Sequence, residues 1–98
     1  VTNRDIAVLY EKQRQIPQAL AHYKKAYQFA KQSQFEPEIA RQLAHIAIIY
    51  NQYHHQSDTA LFLLQKALLA NRHRGDWEVD SFIFENIGYA HLSQQEYD

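Results

Sequence analysis

The sequence predicts an all-α fold in which antiparallel helical hairpins stack along the chain as an α-solenoid. A signature of aliphatic, small and ring residues comes round three times: Ile6-Ala7-x-x-Tyr10, Ile46-Ala47-x-x-Tyr50 and Ile87-Gly88-x-x-His91. The small residues are 40 and 41 positions apart, so the 98 residues hold about two and a half copies of one unit. A second motif, Ala19-x-x-x-Tyr23-x-x-Ala26, returns 41 residues later as Ala60-x-x-x-Leu64-x-x-Ala67, which gives each unit two helical segments. Only two Gly and two Pro accompany 46% hydrophobic residues, leaving little material for strands and tight turns.

Each element has its own signals. The first helix is predicted from about Asn3 to Arg14, stopping before Pro17. Pro17 suits the first turn of the second helix, about Pro17 to Gln32, because a missing N–H there costs nothing. Ala19, Leu20, Tyr23, Ala26, Tyr27 and Ala30 recur along it at three- and four-residue spacing and form one apolar face. Pro37 opens the third helix in the same way, to about Tyr53, and Ser57 or Asp58 is the expected cap of the fourth. Gly75-Asp76 closes the loop Asn71-Arg72-His73-Arg74 and caps a fifth helix, about Trp77 to Leu92. The chain then stops at Asp98, where the pattern calls for a sixth helix. Together with Val1 at the start and the absence of Met, this points to a piece of a longer protein. The whole reads as one domain, with repeat 1 at about 1–35, repeat 2 at about 36–75 and a partial repeat 3 at about 76–98.

These motifs resemble the tetratricopeptide repeat, whose pattern is Trp-x-x-Leu-Gly-x-x-Tyr, then Ala-x-x-x-Phe, then a closing Pro. Its first position is Asn3, Leu43 and Phe84 here, and its small position is Ala7, Ala47 and Gly88. The family unit is about 34 residues. Here the junctions Ala26 to Leu43 and Ala67 to Phe84 are both 17 residues, an equal lengthening that resembles the long-unit variety, about 40 residues per repeat, of bacterial regulators and motor light chains. The resemblance implies a right-handed superhelix lined on its concave side by the first helix of each unit. It places Val1, Arg4, Val8 and Glu11, then Arg41, Ala44, Ile48 and Asn51, then Phe82, Glu85, Tyr89 and Leu92 in that groove. Such a surface would hold an extended or helical peptide by its apolar floor, with register set by Arg4, Arg41 and Glu85. The Lys and Asn by which some members hold chaperone carboxylates are missing from all three copies.

Composition narrows the function further. The net charge is −1, with seven Lys or Arg against four acids in residues 1–49 and three against seven in residues 50–98. That balance argues against nucleic acid, whose phosphates demand a basic surface. No run approaches the roughly 18 apolar residues of a membrane span, and no secretory leader is recognisable. With no Cys there is neither a disulfide nor a thiolate site, and the cytoplasm is the expected compartment. His54, His55 and Asp58 do not complete a metal-ligand set. His91 is expected in the core or groove, and His22, His45 and His73 in solvent. No nucleophile, base and orienting group converge in a motif, so neither an enzyme nor a cofactor site is expected. The reading is a non-catalytic protein–protein interaction module. A ligand-sensing regulatory domain and a structural self-association element are the alternatives, the last through an exposed fifth-helix stripe of Ile83, Ile87 and Ala90.

Overall fold

The computed structural model describes residues 2–72 and 76–97. They form five helices and no strand: α1 Asn3–Lys12, α2 Ile16–Ser33, α3 Glu36–Gln52, α4 Ser57–Asn71 and α5 Trp77–Tyr97. Local chemistry sets the boundaries. Thr2 caps α1 through a capping box: its Oγ1 accepts from Asp5 N at 3.1 Å, and its own N–H donates to Asp5 Oδ2 at 3.4 Å. Pro17 and Pro37 lie in the first turns of α2 and α3. Asp76 caps α5 by accepting from Glu78 N and Val79 N at 3.1 and 3.3 Å. Gly75, the expected partner in that cap, and His73 lie outside the described residues.

The turns between paired helices repeat too. Arg14 and His55, 41 residues apart, both take the left-handed conformation, with φ of 62° and 55°. Just after them Gln15 N and Gln56 N each return a 2.9 Å hydrogen bond to the carbonyl of Tyr10 and of Tyr50. Gln34 ends α2 with φ 56°, its N–H meeting the Ala30 and Lys31 carbonyls.

Every helix packs on the next in the chain, and α5 also packs on α3. One core cluster joins α1, α2 and α3 through Ala7, Ala19, Tyr23, Ile46 and Ile49. A second joins α3, α4 and α5 through Ala40, Leu43, Ala44, Ala47, Ala60, Leu64, Ala67, Val79 and Ile83. Tyr27, Tyr50 and Leu63 pack against both clusters and make the core continuous. Ala7, Ala19, Ala47 and Ala60 are all fully buried, which is what close approach of paired helices requires. Gly88, their counterpart in the third copy, is exposed, and a Cβ built on it would meet nothing within 4 Å.

Four expectations need correction. Helix α5 runs to Tyr97, so the residues expected to start a sixth helix extend the fifth; nothing in Ser93-Gln94-Gln95-Glu96 breaks a helix. Helix α4 has Gln56 at its N-cap, with no side-chain cap. Asp58 instead accepts from Gln94 Nε2 across to α5. Asn71 is the buried last residue of α4, where its Nδ2 donates to the Asp76 carbonyl at 3.0 Å and to Asp80 Oδ1 at 2.8 Å. Finally, Ile83 and Ala90 are fully buried and Ile87 is half-buried. The stripe expected to lie open is turned towards α3 and α4, and the exposed apolar side chains of α5 are Trp77, Phe84, Tyr89 and Leu92.

Candidate functional site

Arg4 and Arg41, from α1 and α3, converge on one carboxylate. Arg41 Nη1 lies 2.8 and 3.0 Å from the two oxygens of Glu38, and Arg4 Nη1 lies 3.6 Å from Glu38 Oε1. All three side chains are partly exposed, so the cluster is a rim feature and not a buried network. Arg4 also lies 4.0 Å from Asp5 Oδ1, so two cations face two anions at this end. Arg4 and Val8 also border an open hollow of about 570 Å³ with Asp5, Leu9 and His45.

His45 ties this end to α5. Its ring stacks on Tyr23, 4.9 Å between centroids and 6° between planes, and meets Phe82 at 5.2 Å and 50°. The position expected in solvent is therefore half-buried between two rings. Burial first, then the Arg4 and Arg41 charges, pull its pKa from 6.5 down to about 4. Tyr23 donates through its hydroxyl to Glu11 Oε1 at 3.0 Å, and burial followed by the Glu11 charge raises its pKa. Glu11, expected in the groove, is thus engaged by α2. His22 is drawn in as well, stacking on Tyr10 at 5.4 Å with its Nδ1 3.2 Å from Asn3 Oδ1.

At the other end, Ile48, Asn51 and Tyr89 from α3 and α5 meet beside Asn86 around a recess of about 10 Å³. Glu85 accepts from the Tyr89 hydroxyl at 3.2 Å. Tyr89 and Leu92 are 50% and 59% exposed. Ala44 is a correction: it is fully buried in the second core cluster, because α4 and α5 close over that side of α3. His91 is exposed, outside the core. Val1 lies outside the described residues. The expected residues thus form two groups, Arg4, Val8, Arg41 and Phe82 around Glu38 and His45, and Ile48, Asn51 and Tyr89 beside Asn86. Glu38 was legible as the residue three before Arg41 on one helix face. No local signal announces His45, whose ring partners stand 22 and 37 residues away.

Among the described residues no three His, Asp or Glu side chains are grouped to hold a metal, and no helix is long and apolar enough to cross a membrane. Compared with protein-family models, curated proteins and solved structures, the chain matches none.

The buried histidine makes stability depend on pH. Between about pH 6.5 and 4 the unfolded chain takes up a proton that folded His45 refuses, so its contribution is present above 6.5 and is lost as pH falls. The expected loss from this group is at most about 3 kcal/mol by pH 4. Urea unfolding at pH 7 and pH 4.5 checks it: His45→Phe, which keeps a ring between Tyr23 and Phe82, should lose clearly less stability than the parent over that interval. Equal losses would contradict the assignment.

Proposed function

We propose that the chain is a helical-repeat interaction module of tetratricopeptide type, a right-handed solenoid that binds a peptide segment of a partner protein without chemistry. The face shared by α1, α3 and α5 is the binding surface. The observation that carries this reading is that α3 is joined to two helices that are not its neighbours in sequence, to α1 by the Arg4–Glu38 ion pair and to α5 by packing that includes His45 against Phe82. These helices present Leu9, Tyr89 and Leu92 to solvent. The partly exposed guanidinium groups of Arg4 and Arg41 suit an acidic residue or carboxylate of the partner. The apolar side chains suit branched or aromatic anchors.

Charge reversal tests the assignment. Arg41→Glu should weaken an acidic peptide about tenfold or more, the equivalent of about 1.4 kcal/mol. Lys66→Glu, on the exposed side of α4, should leave affinity within about twofold. Titration of both variants with the same fluorescent peptide distinguishes them, and equal losses would move the site off this face. Self-association stays the second reading, carried by Phe84 at 60% exposure beside the open Gly88. This seat is on a different stripe of α5 from the one expected.

A further inference from the structure

Helix α2 carries Lys24, Lys25 and Lys31 and no acid. Helix α4 carries Lys66, with Arg72 at its C-cap, and its one acid, Asp58, accepts a hydrogen bond from Gln94 of α5. Lys24, Lys25 and Lys66 belong to none of the ion pairs of the described residues. Two apolar side chains stand out beside these cations. Phe62 is 65% exposed and Leu69 62%, about one helical turn before and one after Lys66, so the three share a stripe of α4.

The repeat marks this stripe as outer surface. Positions 21, 24, 25, 28 and 31 correspond, 41 residues on, to 62, 65, 66, 69 and 72, and every one of these residues is exposed. Both helices flank the same side of α3: Tyr27 of α2 packs against the cluster of α3, α4 and α5, and Leu63 of α4 against the cluster of α1, α2 and α3. Stacking of unit on unit therefore leaves the stripe open, since α2 has the next unit in place and its outward positions are still exposed. The two helices together present Lys24, Lys25, Lys31, Lys66 and Arg72 with no acid at any of these positions.

We propose that the outward side of α2 and α4 rests on an anionic lipid surface, with its cations among the headgroup phosphates and Phe62 and Leu69 dipped into the acyl boundary. Cations interleaved with apolar side chains on one helix face are what a membrane interface draws to itself: the surface charge attracts the former, and the latter leave water. The stripe is a ridge, since the two open hollows, of about 460 and 570 Å³, and the recess beside Asn86 are lined by other residues. A fluid bilayer receives a ridge without a complementary shape. The phosphates of a nucleic acid would meet the cations but give Leu69 nothing to bury against. The contact is separate from the α1/α3/α5 face and does not rest on its reading.

Flotation of the 98-residue chain with lipid vesicles tests the proposal. Binding is expected to phosphatidylcholine vesicles holding about 30% phosphatidylserine, is much weaker to phosphatidylcholine alone, and falls as salt rises from about 0.05 to 0.5 M. Lys66→Gln should weaken it about fivefold, and so should Leu69→Ser, which leaves the charge unchanged. Ser81→Glu, an equal change of charge at an exposed position of α5, should stay within about twofold. All three positions are exposed, and circular dichroism melts check that each variant stays folded. No flotation, equal flotation with and without phosphatidylserine, or equal losses for Lys66→Gln and Ser81→Glu would each overturn the proposal. So would binding of polyglutamate or duplex DNA as tight as that of the vesicles and unaltered by Leu69→Ser, since the stripe would then serve a soluble polyanion.

Discussion

Ile83→Glu should unfold the chain, while Phe84→Glu, one residue along, should leave it folded. Ile83 is fully exclosed from solvent between α3 and α4, and a carboxylate there has no cation to pair with in the cluster around it. The charge must be desolvated, or the side chain protonated, in a site shaped for a branched aliphatic group. Either outcome costs on the order of 4 kcal/mol or more, a large share of the 5–15 kcal/mol that holds an ordinary domain together. Phe84 is 60% exposed, so its replacement exchanges solvated ring for solvated carboxylate and should cost less than about 1 kcal/mol. Circular dichroism melts of the two variants check this directly. Similar midpoints would mean that α5 is rotated from the orientation described here.

The second large effect separates two members of one repeated signature. Ala47 is fully buried where α3 meets α4, and a larger side chain there would press on Ala60 and Leu64 of the same cluster. Ala47→Leu should therefore cost about 1–3 kcal/mol by overpacking. Gly88 holds the same place in the third copy but faces open space inside a helix. Gly88→Ala should stabilise α5 by up to about 1 kcal/mol, since the added methyl group meets nothing and the unfolded chain loses freedom. A difference of this size separates the thermal midpoints by several degrees, at about 4–8 °C per kcal/mol for a domain of this length. If both substitutions destabilised alike, Gly88 would be packed as tightly as Ala47.

The contrast between Ala47 and Gly88 also marks how far the sequence could be read. Helix positions were legible wherever spacing and punctuation agreed: Pro17, Pro37 and Asp76 mark the starts of α2, α3 and α5, and the alanines at 19, 26, 60 and 67 face inward or partly inward as their register requires. The end of α5 was not legible, because the repeat pattern argued for a new helix while Ser93 to Tyr97 contain nothing that stops the old one. Arg4 and Arg41 could be placed on one face and Glu38 lies three residues before Arg41, but no spacing rule joins α1 to α3, so the carboxylate that both arginines share was not legible. Gln42 and His45 were illegible for a shared reason. Polar residue types signal solvent, and only tertiary packing reveals that Gln42 is 1% exposed and that His45 lies between two rings.

The claim that matters most is that α1, α3 and α5 together form the recognition face. Peptides selected from a random twelve-residue displayed library against the immobilised chain, then titrated into isotope-labelled protein, test it by amide shift mapping. The account predicts saturable changes along Arg4, Val8, Ile48, Phe82 and Tyr89, with little change at Lys24, Lys25 and Lys66 on α2 and α4. Changes centred on those lysines, or a library that yields no binder to the folded chain, would contradict it.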